Sequence, residues 1–394
     1  MAKNGNKNYF EIVAKTTYGL EEVLSQELAG IGAGDIKILN RAVTYKGDMA
    51  LLYRSNYCLR TALRILKPVM SVYVSTEKEL YDAIRTISWS EWLDKKGTLA
   101  VDATVKSKYF THSQYVSQKV KDAVVDQFRD RYGIRPSVDL DDPDLRINIH
   151  IAEMKLTVSL DSSGDSLHKR GYRVTPWKAN LSEVLAAGMI MLTGWKGDTP
   201  FVDLMCGSGT LPIEAALIAH SIPAGYYRKK FGFQNWPDFL PEIFKKIRME
   251  HMPAYNAPVL CYGMDNAPEA IRSSRKNAEG ARLLNHVKFA VCDIGAVKKP
   301  ADKGLIVINP PYGERLKQDD LNILYKRIGD SLKNNFLGFD AWIISSNPDA
   351  FKNIGLHPSK RITLFNGQLE CKFNHYSMYP GSRKNKTKPA VNTG

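Results

Sequence analysis

The sequence is poor in cysteine and contains no long apolar run. Its 394 residues include five scattered cysteines, none in a Cys-x-x-Cys pair: Cys58, Cys206, Cys261, Cys292 and Cys371. This spacing argues against a disulfide framework and against a zinc or iron–sulfur site. No apolar stretch approaches the roughly 18 residues of a membrane span, and the amino terminus lacks the apolar core of a signal peptide. We therefore expect a protein of the reducing cytoplasm.

Acidic residues are few relative to basic ones. Lys and Arg number 55 against 41 Asp and Glu, a net charge of +14. Residues 1–160 carry 23 basic and 20 acidic side chains (+3), whereas residues 161–394 carry 32 and 21 (+11). This balance favours a polyanionic partner such as RNA or DNA. Part of the excess lies in a basic tail, 381–394, which we expect to be disordered.

The length of the chain implies more than one domain. We predict three, at 1–65, 66–160 and 161–380, followed by the tail. The first two alternate short strands with helices, among them a helix that Asp48 caps and that runs through Leu63. A second helix, Ser113–Tyr132, is rich in polar and basic residues. The expected fold class is α/β throughout.

The third segment alternates parallel strands with helices, and a hairpin at Asn366-Gly367 follows them. The five predicted parallel strands are Phe201–Cys206, Val259–Asp265, Val287–Asp293, Leu305–Asn309 and Phe339–Ser345. Parallel strands completed by an antiparallel edge pair resemble the order of class I methyltransferases. We therefore predict a Rossmann-like domain with a seven-stranded mixed sheet.

The first of these strands ends in a glycine loop, Asp203-Leu204-Met205-Cys206-Gly207-Ser208-Gly209-Thr210. Gly207 and Gly209 allow a sharp turn and a close approach to a ligand. A dinucleotide fingerprint would contain a third glycine, and the carboxylate of Asp203 would repel its phosphates. That carboxylate suits the cationic amino-acid part of S-adenosylmethionine. A purely structural turn would show the same pattern.

Two later strands also end in carboxylates. Asp265 could accept hydrogen bonds from both hydroxyls of a ribose, and Asp293 could accept one from the amino group of adenine. An Asp at a strand end is also a common helix cap or turn residue. Between the glycine loop and Asp265 lies an insertion, 221–258, whose basic and aromatic side chains fit RNA contact. A packed helical insertion would account for them equally well.

The most informative string is Asn309-Pro310-Pro311-Tyr312, directly after the apolar run Leu305–Ile308. Two prolines end the strand abruptly, so these groups are presented at the carboxyl edge of the sheet, where open α/β folds bind ligands. The amide oxygen of Asn309 and the carbonyl of Pro310 could accept hydrogen bonds from an amine, and the ring of Tyr312 could stack on a planar base. An ordinary strand end with a proline turn remains the alternative.

Three strings resemble signatures of the THUMP-domain ribosomal RNA guanine-N2 methyltransferases: Asn309–Arg315, Asp203–Ala216 and His168–Arg173. The resemblance extends over essentially the whole chain. It implies a ferredoxin-like domain at 1–65, a THUMP RNA-binding domain at 66–160 and a methyltransferase domain at 161–380. The chain is similar to the N-terminal methyltransferase half of a bifunctional large-subunit enzyme.

The resemblance also implies roles for individual residues. Those that would bind S-adenosylmethionine are Asp203, Cys206, Gly207, Gly209, Thr210, Asp265, Asn266, Asp293 and Asn309. Those that would hold the base are Asn309, Pro310 and Tyr312. Candidate RNA contacts are Lys169, Arg170, Arg173, Arg228, Lys229, Lys230 and Arg315. We expect a monomer that needs no metal and no membrane.

Several activities are compatible with this pattern. The preferred one is methylation of guanine N2 in large-subunit ribosomal RNA, and a transfer-RNA guanosine is a possible substrate. The same cradle serves adenine-N6 and protein-glutamine methylation, although an RNA-binding amino-terminal half argues against a protein substrate. A non-catalytic RNA-binding protein is a further alternative, against which the intact acidic and glycine positions argue.

Overall fold

The computed structural model describes residues 9–175, 181–253, 258, 260–313 and 318–379. These residues group into two compact units. The first holds the described residues up to Val174, Ser182–Met189 and the stretch from His220 to Pro253. The second holds Thr175, Leu181, Ile190–Ala219 and the described residues from Pro258 onward.

An eight-stranded sheet with the order β2-β3-β1-β4-β8-β7-β5-β6 forms the centre of the first unit. Its strands are β1 (Phe10–Lys15), β2 (Gly34–Leu39), β3 (Ala42–Gly47), β4 (Arg64–Tyr73), β5 (Thr98–Lys106), β6 (Ser137–Val138), β7 (Leu145–Ala152) and β8 (Lys155–Asp161). Its helices include α1 (Glu21–Gly30), α2 (Met49–Cys58), α3 (Glu77–Arg85) and α4 (Ser113–Tyr132). The polar and basic helix predicted at Ser113–Tyr132 is confirmed.

Strand β4 joins the two amino-terminal segments into one sheet. It pairs antiparallel with β1 on one side and with β8 on the other. The predicted boundary at residue 65 therefore falls inside a strand. Pro68 lies in β4, and the pairing with β8 shifts register between Pro68 and Met70 because proline has no N–H to donate to the ladder.

The helix predicted from Asp48 through Leu63 is shorter than expected. Asp48 does cap it, since its side chain accepts a hydrogen bond from the N–H of Leu51. The helix ends at Cys58, however, where Leu59 turns to an extended conformation. The carboxylate of Glu27 then accepts hydrogen bonds from the N–H groups of Arg60 and Thr61, which fixes the chain on its way into β4.

The second unit contains a seven-stranded sheet with the order β11-β10-β9-β12-β13-β15-β14. Its strands are β9 (Phe201–Asp203), β10 (Cys261–Asp265), β11 (Val287–Val291), β12 (Gly304–Ile308), β13 (Phe339–Ser345), β14 (Lys360–Asn366) and β15 (Leu369–Ser377). The remaining α-helices in the described part of the chain are α5 (Glu183–Leu192), α6 (Thr210–Ala219), α7 (Pro241–Glu250), α8 (Pro268–Gly280), α9 (Gln318–Asn335) and α10 (Pro348–Lys352). The first five strands are parallel, and β15 pairs antiparallel with β13 and β14. The predicted mixed sheet and edge hairpin are thus confirmed.

The insertion between α6 and β10 packs into the core of the first unit. Phe233 is fully buried and stacks on Tyr53 with ring centroids 4.4 Å apart. Phe244 and Trp236 are buried in the same apolar cluster. The sequence left open whether the aromatic side chains of this insertion contact RNA or pack in the protein. These three rings are packed in the protein.

Within the described residues, every helix is too short or too polar to cross a membrane. The same part of the chain holds no group of three or more His, Cys, Asp or Glu side chains able to bind a metal ion.

Candidate active site

Three neighbouring strands of the seven-stranded sheet bring the predicted site residues to one edge. The strands β10, β9 and β12 are adjacent and parallel, so their carboxyl ends lie side by side. Asp265 ends β10, Asp203 ends β9, and Asn309 directly follows β12. The sequence predicted this juxtaposition correctly, because the carboxyl ends of parallel strands meet at one edge of a sheet.

The glycine loop is tied directly to Asp265. Gly207 has a φ of +53°, a conformation that favours glycine, and its N–H donates to Oδ2 of Asp265 at 2.9 Å. The other oxygen of Asp265 accepts from the N–H of Ala267 at 3.0 Å. A carboxylate oxygen can accept more than one hydrogen bond, so Asp265 keeps capacity for a ligand hydroxyl.

Gly209 is required by packing as well as by conformation. Its φ is +82°, and a Cβ at this position would lie 2.8 Å from Cβ of Ser274 and 3.2 Å from the ring of Phe289. Helix α8 and strand β11 therefore press against the loop at this glycine. The sequence predicted a sharp turn and the approach of a ligand at this glycine, but not its packing against α8 and β11.

Asp203 is a buried carboxyl group close to a second one. It is 2% exposed, and Oδ1 accepts a hydrogen bond from the N–H of Met205. Burial raises the pKa of this carboxyl well above its usual range, and the negative charge of Asp265 raises it further. A cation placed beside the two carboxylates would offset both effects.

The other residues predicted to surround a cofactor differ in exposure. Cys206 and Thr210 are buried, and burial raises the pKa of the Cys206 thiol well above its usual range. Cys206 is thus a packed, protonated residue of the loop. Asn266 is exposed beside Asp265.

Asp293 is exposed and carries its own partner. It follows β11, accepts hydrogen bonds from Arg327 and from the N–H of Gly295, and has its pKa lowered by them. The Gly295 contact is the turn geometry that the sequence left open as an alternative. An adenine amino group would have to share this carboxylate with Arg327.

Asn309 and Tyr312 form a hydrogen-bonded pair in the turn after β12. The hydroxyl of Tyr312 donates to Oδ1 of Asn309 at 2.5 Å, and Nδ2 of Asn366 lies 3.4 Å from the same hydroxyl. Burial raises the pKa of Tyr312, so the phenol keeps its proton. Tyr312 therefore does more than offer a ring for stacking, because it orients the Asn309 amide.

A chain of buried hydroxyls supports the backbone of this turn. The N–H of Asn347 donates to Oγ of Ser345 (3.1 Å), which lies 2.7 Å from the hydroxyl of Tyr325. That hydroxyl is 3.2 Å from the carbonyl oxygen of Pro311. Since a hydroxyl has one hydrogen, the consistent assignment is that Ser345 donates to Tyr325 and Tyr325 donates to Pro311. Nδ2 of Asn347 also donates to the carbonyl of Tyr312 at 3.3 Å.

Comparison with known proteins agrees with this geometry. The RMKL-like methyltransferase domain matches residues 170–375, more than half of the chain. The THUMP domain matches residues 74–161, and the RlmL ferredoxin-like domain matches residues 11–66. The chain belongs to the RMKL-like methyltransferase family.

Individual relatives match along most of this chain. The candidate RNA methyltransferase slr0064 of Synechocystis sp. is 38% identical over 94% of this chain and 97% of its own length. The ribosomal RNA large subunit methyltransferase K/L of Syntrophotalea carbinolica is 38% identical over 91% of this chain and 52% of its own length. This chain therefore spans about half of that relative. The crystal structure of SMU.472, a candidate methyltransferase complexed with SAH, has a TM-score of 0.85, with 28% identity over 95% of this chain and 99% of that one.

Two arginines predicted to contact RNA are structural in this RMKL-like chain. The guanidinium of Arg228 donates to the backbone carbonyls of Ser163, Asp165, Ser166 and Lys169 at 2.8–3.2 Å. Burial lowers its pKa to about 10. Arg170 is 1% exposed and donates to two further backbone carbonyls, those of Leu167 and Arg60. Arg170 faces the interior, so the expectation of a phosphate contact is corrected for Arg170. Arg228 is partly exposed, but these carbonyls occupy its guanidinium, which argues against a phosphate contact there.

Of the remaining predicted RNA contacts that the structure describes, one side chain is mostly buried and three are exposed. Arg173 is mostly buried and pairs with Glu183 at 2.8 Å. The exposed amines of Lys169 and Lys230 pair with Asp165 and Asp142, and Lys229 is exposed. Arg315 lies outside the described residues.

Sequence reasoning missed the residues that hold the turn: Tyr325, Ser345, Asn347 and Asn366. A signal for one pair was present. Ser345 ends β13, and Ser346-Asn347-Pro348 follows it in the same way that Asn309-Pro310 follows β12, with polar side chains and then a proline. Tyr325 lies within helix α9 and Asn366 at the end of β14, positions that gave no such signal.

Proposed function

We propose that this chain transfers a methyl group from S-adenosylmethionine to the N2 amine of a guanine in RNA, with large-subunit ribosomal RNA as the substrate. The observation that carries this proposal is the Asn309–Tyr312 turn beside the strand-end carboxylates Asp203 and Asp265. The THUMP match and the net charge of +14 support an RNA partner. The name of the Syntrophotalea relative supports the ribosomal substrate.

The residues at the strand ends fit the cofactor. Burial raises the pKa of Asp203, and the nearby charge of Asp265 raises it further. A cationic ligand is therefore favoured over a phosphate. The carboxylate of Asp265 retains acceptor capacity for ribose hydroxyls. Gly207, Gly209 and Thr210 would form the floor of the same site. Cys206, Asn266 and Asp293 are its remaining candidate members. The complex of SMU.472 with SAH supports this choice of cofactor.

Asn309 would act on the amine that receives the methyl group. S-adenosylmethionine supplies an activated methyl group on a sulfonium. Oδ1 of Asn309 has two lone pairs, and Tyr312 occupies one of them, so the second can accept an N–H of the substrate amine. With the Pro310 carbonyl accepting the other N–H, the nitrogen would be held pyramidal, with its lone pair directed at the methyl donor. The rate would come chiefly from this positioning.

The base would reach the turn only after leaving its stack, since the amine of a paired guanine is enclosed in the helix. The ring of Tyr312 is partly exposed and could cover the face of the extruded base while its hydroxyl holds Asn309. The network of Tyr325, Ser345 and Asn347 would keep the turn in place during this exchange.

The deciding experiment is methylation of RNA with a labelled cofactor followed by nucleoside analysis. The protein is incubated with ribosomal RNA and transfer RNA fractions from cells that lack it, and the labelled nucleoside and fragment are identified. Labelled N2-methylguanosine in large-subunit RNA is expected. Labelled N6-methyladenosine would overturn the choice of base, and label confined to transfer RNA would overturn the choice of RNA. Absence of transfer by the wild type, but retained RNA binding, would favour a binding protein.

A further inference from the structure

One end of the eight-stranded sheet combines exposed tyrosines with exposed lysines. Strand β4 ends at Tyr73, strand β5 ends at Lys106, and strand β8 begins at Lys155. Lys108 and Tyr109 follow β5 after Ser107. We call the two tyrosines and three lysines the tyrosine–lysine rim.

Backbone hydrogen bonds hold the rim together. The tight turn between β7 and β8 contacts both neighbours, because the N–H of Val74 donates to the carbonyl of Met154 at 2.8 Å and the N–H of Glu153 donates to the carbonyl of Lys106 at 2.8 Å. Tyr73 is also the direct cross-strand partner of Lys155. The rim residues therefore come from three separate stretches of sequence that the fold places at one sheet end.

The side chains of the rim are available to a partner. Tyr73 is 74% exposed and Tyr109 is 53% exposed. The three lysines are exposed, and the turn adds one exposed acid, Glu153. Oγ of Ser107 donates to the carbonyl of Glu153 and accepts from the N–H of Tyr109, which fixes the backbone that carries the second tyrosine.

We propose that the tyrosine–lysine rim binds an unpaired segment of the RNA substrate. Aromatic faces stack on bases of any sequence, and ammonium groups contact the phosphates between them, the combination used for single-stranded nucleic acid. Double-stranded RNA offers phosphates but no free base faces to the tyrosines. This inference rests on the proposed RNA substrate and adds to it a second contact surface, remote in sequence from the Asn309–Tyr312 turn.

The test is binding of the full chain to a labelled oligouridine of about 12 nucleotides. Tyr73→Ala and Tyr109→Ala should each weaken binding about tenfold, as expected for the loss of one stacked base. Tyr73→Phe and Tyr109→Phe keep the ring and should bind within about twofold of the wild type. Binding to a blunt-ended RNA duplex of the same length should change little in any of these variants.

Salt dependence separates the lysines from the tyrosines. Because each neutralised phosphate of a single strand contributes a slope of about −0.7 to the plot of log affinity against log salt, replacing Lys106, Lys108 and Lys155 by Ala should reduce the slope by about 2. The tyrosine variants should leave the slope unchanged. Thermal unfolding of every variant should match the wild type, since the replaced side chains are exposed.

A matched control lies at the opposite end of β5. Lys95 and Lys96 precede that strand, and Tyr132 ends helix α4 with 44% exposure. A Lys95→Ala, Lys96→Ala, Tyr132→Ala variant should bind oligouridine as the wild type does. Equal losses in the control, an unchanged affinity in Tyr73→Ala plus Tyr109→Ala, or an equal loss on the blunt-ended duplex would each overturn the proposal. Binding is measured without cofactor, so its result is independent of whether guanine N2 is the methylated atom.

Discussion

The hydroxyl of Tyr312 donates a hydrogen bond to Oδ1 of Asn309 at 2.5 Å, three residues away in the turn that follows β12. This contact fixes which end of the amide is the acceptor. An Asn side chain alone could present either its oxygen or its NH2 group. The motif thus contains its own orienting group, and the roles of its two polar side chains can be separated by substitution.

Replacing Asn309 by Ala should reduce kcat for RNA methylation by at least about 100-fold, since the amide would be a preorganised contact to the reacting amine. RNA affinity should stay close to that of the wild type, because the amide is a small part of the interface. Single-turnover methylation and RNA titration measure the two quantities. Asn285→Ala, at an exposed loop position, is the control. Unchanged methylation by Asn309→Ala would refute the role of the cradle.

Replacing Tyr312 by Phe removes the hydroxyl and keeps the ring. We expect kcat to fall about tenfold, the effect of one lost hydrogen bond of about 1–1.5 kcal/mol, with KM for RNA nearly unchanged. Tyr312→Ala should in addition raise KM, since stacking is also lost. If the Phe variant retained the full kcat, orientation of Asn309 by Tyr312 would be excluded.

Replacing Tyr325 by Phe breaks the hydroxyl chain from Ser345 to the carbonyl of Pro311. The free energy of unfolding should fall by about 1–3 kcal/mol, because buried polar groups lose a partner. kcat should fall as well, while cofactor affinity should not change. Thermal denaturation, single-turnover kinetics and cofactor titration measure these effects. Tyr262→Phe is a matched control, because that tyrosine is only partly buried in β10. A stability loss without any change in kcat would limit Tyr325 to a structural role.

Substitution of Arg228 distinguishes a structural role of this side chain from RNA contact. Arg228→Gln should lower the free energy of unfolding by about 2–4 kcal/mol, since four backbone carbonyls lose a buried cationic donor. The salt dependence of RNA binding should be unaffected. The neighbouring exposed Lys229→Gln should leave stability unchanged. A stable Arg228→Gln variant with a weaker salt dependence would restore the original RNA-contact interpretation.

The contrast between Arg228 and Asp203 shows what sequence can predict. Asp203, Asp265 and Asn309 were placed correctly because strand ends in a parallel sheet share an edge whatever the loops do. The partners of Arg228 could not be predicted, because they are backbone carbonyls of 163–169, more than 50 residues away in the sequence. The charge pattern of a sequence identifies a basic side chain, but it does not show which backbone oxygens the fold brings to that side chain.

Element boundaries were less predictable for a related reason. Helix α2 ends at Cys58 and not at Leu63 because the carboxylate of Glu27 in α1 takes the N–H groups of Arg60 and Thr61. Local propensity allows the helix to continue, and a tertiary contact ends it. Likewise, β4 is one continuous strand because it has partners on both sides, although Lys67-Pro68 suggested a break.

Asp203 links stability to function through its protonation. Its raised pKa means that the folded protein holds this proton more tightly than the unfolded chain does. The resulting destabilisation is absent below the unfolded pKa of about 3.9, grows as pH rises above that value and is complete once pH exceeds the folded pKa. Asp203→Asn keeps an acceptor for the N–H of Met205 but cannot ionise. At pH 7 to 8 we expect this variant, without ligand, to be more stable than the wild type by about 0.5–2 kcal/mol.

That gain should disappear near pH 4, and S-adenosylmethionine affinity should fall at neutral pH because the site has lost a negative charge. Urea unfolding at a series of pH values and calorimetric titration of the cofactor measure the two effects. Asp302→Asn, at a fully exposed position, should change neither. A variant that is less stable at pH 8, or that binds the cofactor as the wild type does, would show that the Asp203 carboxylate does not serve a cationic ligand.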